Sequence, residues 1–262
     1  MKAMILAAGL GTRLRPLTND RPKALVEIAG RPLLEITLAR LREFGVREVI
    51  VNVHHFADMV VEYLKKNKNF EMRIEISREE VLLDTGGGLK KAAWFFLEDP
   101  APSAGSSGKD EPFILHNVDV ISNIDLGRMV QSHRDNQALA TLGVQNRETS
   151  RYLLFDGQNL LAGRRVKDRP DEIVRPARQL QPLAFSGIHV ISPRMLTMMT
   201  EEGVFSIIDA YLRLAGGGER LLAFQADGYD WRDMGTSENV KQAGKILSEK
   251  HFIYKQTTKK DD

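Results

Sequence analysis

Along the first half of the chain, short apolar runs alternate with stretches in which apolar residues recur at helical spacing. Lys2-Ala3-Met4-Ile5-Leu6-Ala7-Ala8 is almost continuously apolar, as expected of a strand buried on both faces. After a polar interval, Pro32 stands where a first helical residue belongs, Leu34, Leu38 and Leu41 follow on one face, and Gly45 closes the run. Residues 48–53 (Glu-Val-Ile-Val-Asn-Val) read as a second buried strand. Strand, loop, helix and strand in this order form a right-handed parallel unit.

The alternation continues with a helix over 57–66, a strand over 73–77, and a helix over 89–96 approached through Gly86-Gly87-Gly88. Residues 99–110 are then rich in Pro, Gly and Ser with almost no apolar anchor, which predicts a surface loop at about 99–112 that interrupts the domain without dividing it. A strand at 113–117 and a helix over 125–136 resume the pattern. Strands at 138–144, 152–155, 184–191 and 221–225 are spaced less regularly and bring antiparallel pairing to a mixed sheet. Helices are expected around Met195, over 206–215 and over 237–250. The result is one α/β domain over residues 1–247, with a charged tail at 248–262 that frays.

Composition narrows the function classes. The chain has 262 residues, 42% hydrophobic and 27% charged, enough for a large core. Its 37 basic and 35 acidic residues nearly cancel, giving +2, so no general field favours nucleic acid or anionic lipid. A site for anions must therefore be local. The absence of cysteine removes disulfides, thiolate nucleophiles and cysteine-based zinc sites. No apolar run approaches the ~20 residues of a membrane span, and a cytoplasmic protein is the expectation.

Candidate chemistry starts where the first strand ends. Gly9-Leu10-Gly11-Thr12-Arg13-Leu14-Arg15-Pro16, followed by Arg21-Pro22-Lys23, combines a glycine turn with spaced cations. Glycines at 9 and 11 permit positive φ and remove Cβ atoms that would hold the main chain away from phosphate oxygens. Arg13 and Lys23 answer the phosphate charge. The spacing is not a dinucleotide fingerprint, because Leu14 occupies the third glycine position; nor is it a Walker loop, because Thr12-Arg13 follows Gly11. It reads as a grip for a nucleoside triphosphate.

Such a ligand normally brings Mg²⁺, which takes carboxylate and phosphate oxygens together. Asp119, just past the strand at 113–117, and Asp233 in Trp231-Arg232-Asp233-Met234-Gly235-Thr236 are the strand-end candidates. Taken separately, each is more simply explained by capping or turn formation. Asp84-Thr85-Gly86-Gly87-Gly88 is a second glycine segment where main-chain groups can lie against a planar ring. His54 and His55 are adjacent at a strand end and should face opposite ways, so they are not a metal pair. Met195, Met198 and Met199 read as helix packing.

The opening segment resembles the sugar-1-phosphate nucleotidyltransferases through Gly9-Leu10-Gly11-Thr12-Arg13, Pro16-Leu17-Thr18 and Pro22-Lys23-Ala24-Leu25. It is most similar to short bacterial members such as the N-acetylmuramate-1-phosphate uridylyltransferases and mannose-1-phosphate guanylyltransferases. The resemblance implies a Rossmann-like three-layer α/β/α fold with a mixed, mainly parallel sheet. It implies Mg²⁺-dependent transfer of a nucleotidyl group from UTP or GTP to a sugar 1-phosphate. Its catalytic cations are Arg13 and Lys23, and its metal ligands are Asp119 and Asp233. The nucleotide residues are Ala7, Ala8, Gly9, Gly11, Thr12, Asp84, Gly86 and Gly87, and the sugar residues are Asn117 and Gly187. Two departures stand out: Val118 replaces the usual small residue before Asp119, and the upstream Glu-Lys-Pro segment is missing. Arg164, Arg165, Lys167, Arg169, Arg175 and Arg178 are scattered over that interval instead, each more simply explained as surface. Rival readings are a cytidylyltransferase acting on phosphocholine or a related phosphate, and a non-catalytic sensor of nucleotide sugars. Self-association into a homo-oligomer is compatible with the sequence.

Overall fold

Residues 1–97 and 111–249 are described by the computed structural model, with side chains to residue 244. In chain order the first half contains β1 (Lys2–Leu6), the ribbon β2 (Glu27–Ile28) and β3 (Arg31–Pro32), α1 (Leu33–Glu43), β4 (Glu48–Val53), α2 (Ala57–Lys66), β5 (Arg73–Arg78), α3 (Asp84–Lys91) and α4 (Trp94–Leu97). Next come β6 (Phe113–Asn117), β7 (Val120–Ser122), α5 (Leu126–Asp135), β8 (Ala140–Gln145), β9 (Arg151–Phe155), β10 (Leu161–Val166) and β11 (Glu172–Ile173). The remainder is β12 (Gln181–Ile191), α6 (Arg194–Met198), α7 (Ile207–Gly216), β13 (Leu221–Gln225), β14 (Trp231–Asp233) and α8 (Ser237–Glu249). The loop expected at 99–112 and the tail at 248–262 fall almost wholly outside the described residues.

One mixed sheet runs β11-β10-β9-β12-β6-β1-β4-β5, with β8 branching from β12 and β13 paired to β8. β6, β1, β4 and β5 are mutually parallel, and β12 joins antiparallel to β6, β8 and β9. Leu6 is in register with both Asn52 and Asn117, so three parallel strands end at one level. That common edge is where open α/β sheets bind ligands.

β1 shows why the fold has three layers. Ala3 and Ile5 belong to a core with the leucines of α1, Val60 of α2 and Met129 of α5. Met4 lies in the other core, with Leu89 of α3, Phe95 and Tyr211 of α7. A strand buried on both sides has no polar face, which accounts for its unbroken apolar reading. Among the described residues no helix is long and apolar enough to cross a membrane.

Most elements form where the periodicity puts them, and the departures have local causes. Pro32 caps α1 from just outside it. β1 stops at Leu6 because the Ala7 N–H leaves the ladder for the Asn52 side-chain oxygen, at 2.7 Å. The largest shift is α3, which begins at Asp84 rather than near Leu89, so the three glycines lie inside the helix. A Cβ on Gly86 would fall 2.3 Å from the Phe205 ring, and one on Gly87 would fall 2.4 Å from the Gly203 carbonyl oxygen. Poor helix formers persist there because the 203–207 segment at Gly86 and Gly87, and Asn52 and Glu79 at Gly88, come too close for a side chain.

Candidate functional site

The loop after β1 turns back through Gly11, whose φ of +64° is left-handed. A Cβ there would meet Thr18 at 2.9 Å, and Thr18 Oγ1 donates to the Gly11 carbonyl at 2.8 Å. Gly9 plays the other role: it is not among the residues with positive φ, and the space beside its Cα is open. Only Gly11 thus needs left-handed backbone; Gly9 leaves room against the main chain.

Gly9 and Ala8 line a cleft of about 420 Å³ together with Lys23, Asn52, Asp84, Thr85, Asn117 and Asp119. Lys23 Nζ donates to Asp119 Oδ2 in a close ion pair. The two side chains are only 13% and 17% exposed, so the pair lies in the floor of the cleft rather than on the surface.

Asp233 reaches Asp119 through a two-strand ribbon. β14 pairs antiparallel with β7, placing Asp233 opposite Val120, and the Met234 N–H donates to the Asp119 carbonyl at 2.7 Å. The ribbon is braced from α1, where Arg40 donates to Ser122 Oγ at 2.7 Å. Asp233 Oδ1 accepts the Gly235 N–H at 2.8 Å. The Cβ position of Gly235 lies 2.8 Å from both Asp233 Oδ1 and Arg13 Nη2, so only a glycine lets this arginine and carboxylate converge. Arg13 thus lies near Asp233 and Lys23 pairs with Asp119, and the Met234–Asp119 backbone bond links the two pairs.

A second cleft of about 710 Å³ shares Asp84, Thr85 and Asn117 with the first and continues along Thr149, Tyr152, Phe185 and Ser206. Asn117 is held close to Gly187, whose φ is +73° and whose Cβ position is 2.8 Å from Asn117 Nδ2. The two sugar candidates thus touch. Ala7 is buried with its N–H on Asn52, and Thr12 opens the short turn after Gly11; neither lines either of these two clefts. The N–H groups of Gly86 and Gly87 both point to the Phe205 carbonyl, at 3.0 and 3.3 Å. It is Asp84 and Thr85 of that segment that face the clefts.

The scattered arginines separate by partner. Arg164 is bound to Glu172 and Asp209 at 2.7 and 2.6 Å, and Arg165 to Asp171 at 2.9 and 2.8 Å. Arg175 donates to the carbonyls of Ala215 and Glu219. Arg169 lines the second cleft with no carboxylate partner among the described residues.

Three residues escape a reading of the sequence. Asn52, the lone polar residue in the interior of an otherwise apolar strand, bonds Ala7 and also donates to buried Glu79 at 2.7 Å. Glu79 in turn accepts the Leu83 N–H at 2.9 Å, so the pair links the first loop to α3. A polar residue inside an apolar strand was the available signal. Arg147 follows β8, stacks with its Cζ 3.8 Å from the Trp231 ring centroid and donates to the Phe185 carbonyl at 2.7 Å. Its partners are remote in sequence and gave no signal. Burial pushes its pKa down, and the Asp233 charge pushes it back up.

Two buried histidines are not poised as acid or base near neutrality. His116 and His189 are driven to about 3 by burial, and His189 Nδ1 is tied to Tyr211 Oη at 2.7 Å. His54 Nδ1 bonds the Glu79 carbonyl oxygen at 2.8 Å. A hard cation could sit between carboxylate oxygens and ligand phosphates at Asp119 and Asp233, because Asp119 already binds a cationic group, the Lys23 ammonium. Among the described residues no group of three or more His, Cys, Asp or Glu forms a metal cage. Two carboxylates and a phosphate-rich ligand suit Mg²⁺, which keeps much of its shell as water and phosphate.

Known proteins resemble this chain in sequence and fold. The family model for nucleotidyl transferases matches residues 2–250. The N-acetylmuramate alpha-1-phosphate uridylyltransferase of Caulobacter vibrioides is 36% identical over 94% of this chain and 97% of its own length. A mannose-1-phosphate guanyltransferase of Yarrowia lipolytica is 29% identical over 90% of this chain, which spans 61% of that enzyme. Among solved structures, HddC of Yersinia pseudotuberculosis complexed with GMP-PN superposes with a TM-score of 0.71 at 22% identity, covering 94% of this chain and 99% of that one. A candidate glucose-1-phosphate thymidylyltransferase of Bacillus anthracis gives 0.75 at 17%, with 97% of each chain covered. With the glycine loop, the paired strand-end aspartates and this match along nearly the whole chain, the protein belongs to the nucleotidyl transferase family.

Proposed function

We propose that this protein transfers a uridylyl group from UTP to a sugar 1-phosphate, releasing pyrophosphate. The observation that carries this reading is the Lys23–Asp119 pair in a cleft floored by the glycine loop and joined through Asn117 to a second, larger cleft. A triphosphate in the first and a sugar in the second would meet beside Asp119. The uridylyl choice is supported by the Caulobacter vibrioides relative, which covers nearly the same length.

The chemistry needs no general base. A sugar phosphate oxygen is already ionised near neutrality, because the second pKa of a phosphate monoester is about 6. It attacks the α-phosphorus, one P–O bond forms, the bond to the β-phosphate bridging oxygen breaks, and that oxygen leaves on pyrophosphate. The neutral, buried histidines fit a site that works by positioning and charge.

Arg13 and Lys23 stabilise charge gathering on the departing pyrophosphate. Lys23 would exchange Asp119 for phosphate oxygens when substrate arrives. Asp119 and Asp233 would hold Mg²⁺, whose contribution when bound is to neutralise phosphate oxygens of both substrates. Gly9 and Ala8 admit the triphosphate against the main chain, Asp84 and Thr85 flank the nucleoside, and Asn117 and Gly187 border the sugar.

The test is a panel of UTP, GTP, CTP and dTTP against N-acetylmuramic acid, mannose, glucose and heptose 1-phosphates and phosphocholine, scored by pyrophosphate release with and without Mg²⁺. Turnover is expected with UTP and a sugar 1-phosphate, and only with the divalent ion. Turnover of phosphocholine with CTP alone would replace this reading by a cytidylyltransferase, and nucleotide binding with no release anywhere by a sensor.

A further inference from the structure

Of the arginines before β12, Arg164 and Arg165 are neutralised by carboxylates, while Arg169 lines the second cleft. A further cation for the acceptor's phosphate is available outside that interval. Arg147 is placed for it.

Its guanidinium carbon sits over Trp231, 3.8 Å from the ring centroid, and the two are fixed to consecutive carbonyls of β12: Arg147 to Phe185 and the Trp231 indole N–H to Ser186, each at 2.7 Å. β12 is irregular between Phe185 and His189, where its register against β8 shifts, as a bulge does when it re-aims a strand. Trp231 and Asp233 are two apart on β14 and share one face, so a cation on the Trp231 ring is on the side of the ribbon that Asp233 presents. From the other direction, Thr149, Arg151 and Tyr152, which follow Arg147, line the second cleft with Phe185. Arg147 therefore stands between the sugar cleft and the aspartate ribbon.

The patch is also short of partners. Arg147 Nε and Ser186 Oγ are buried without a hydrogen-bond partner, and no carboxylate forms an ion pair with Arg147 among the described residues. A desolvated, immobilised guanidinium with unused donors is a receptor for an oxyanion.

We propose that Arg147 binds the phosphate of the acceptor sugar and orients it toward the α-phosphorus. This rests on the transferase reading above, and the experiment keeps the two apart. In a Trp94→Phe background Trp231 is the single tryptophan, since the chain has two. N-acetylmuramic acid 1-phosphate and mannose 1-phosphate are titrated in, with and without a non-hydrolysable UTP analogue, and Trp231 emission is read. A saturable change is expected, with half-saturation raised at least tenfold by Arg147→Gln and largely restored by Arg147→Lys. In steady state, Arg147→Gln should raise KM for the acceptor at least tenfold while KM for the nucleotide stays within about twofold. Equal rises in both KM values with a lowered melting temperature would reduce Arg147 to a brace for Phe185 and overturn the proposal, as would an unchanged acceptor KM. Emission changes that depend on Arg147, with no turnover of any pair, would refute the transferase and leave Arg147 as the phosphate receptor. No emission change with either sugar phosphate would refute the assignment of Arg147.

Discussion

Single residues in this site are constrained by what stands within 3 Å of them. Asp119 accepts the Lys23 ammonium through its side chain and the Met234 N–H through its carbonyl. Asp119→Asn keeps the second contact and the volume while removing the charge. Turnover in the Mg²⁺ assay should fall by at least about a thousandfold, about 4 kcal/mol of transition-state stabilisation, with a thermal midpoint close to the parent's; near-parental rates would refute the metal role. Gly187 is limited twice, by its φ of +73° and by Asn117 Nδ2 at 2.8 Å from its Cβ position. Gly187→Ala should displace Asn117 and raise KM for the sugar phosphate more than KM for the nucleotide. It should also cost about 1–3 kcal/mol of stability, measurable by urea unfolding.

Elements show how packing overrides local preference. α3 carries three consecutive glycines that by propensity weaken a helix by roughly 1 kcal/mol each relative to alanine. Exchanging Gly87 for alanine would recover that amount, but it would drive a methyl to 2.4 Å from the Gly203 carbonyl oxygen, a backbone atom with little freedom to retreat. Overpacking of this kind costs about 1–3 kcal/mol and should win. Gly87→Ala is expected to lower the unfolding free energy, and a more stable variant would mean that the 203–207 segment yields easily. The β7–β14 ribbon is the opposite case, two strands of three residues each. So short a pair is not stable alone; it is held by Arg40 beneath Ser122 and by the Trp231 indole on Ser186.

Across the whole molecule, buried histidines couple stability to pH. His116 and His189 titrate at about 3 in the folded chain and His133 at about 4, all because burial disfavours the charged ring. The unfolded value is about 6.5. Above it both states are neutral and stability is fully present; below it the unfolded chain binds protons that the folded one refuses, so stability falls as pH drops from about 6.5 toward 3–4. At pH 5 the loss is about 2 kcal/mol per histidine on this reckoning. Urea midpoints at pH 7.5 and pH 5 check it, and His133→Gln, which retains bonding capacity toward Thr141 and Ser192, should flatten the slope.

What could be read from residues alone was whatever depends on neighbours in sequence. β4, α2, β6 and β13 fall where their apolar runs and periods put them, because buried strands and amphipathic helices announce themselves over the five to ten positions that these elements span. The glycine loop, Arg13, Lys23, Asp119 and Asp233 stand out as candidates for a related reason: each stands in a short motif whose chemistry is local. Tertiary structure decided the rest. It moved α3 onto its glycines, turned Asn52 and Glu79 into the link between loop and helix, brought two distant aspartates together on a ribbon too short to notice, and laid Arg147 across Trp231. Those outcomes depend on contacts between segments far apart along the chain, and no local pattern of hydrophobicity, charge or turn residues encodes which remote surface a side chain will meet.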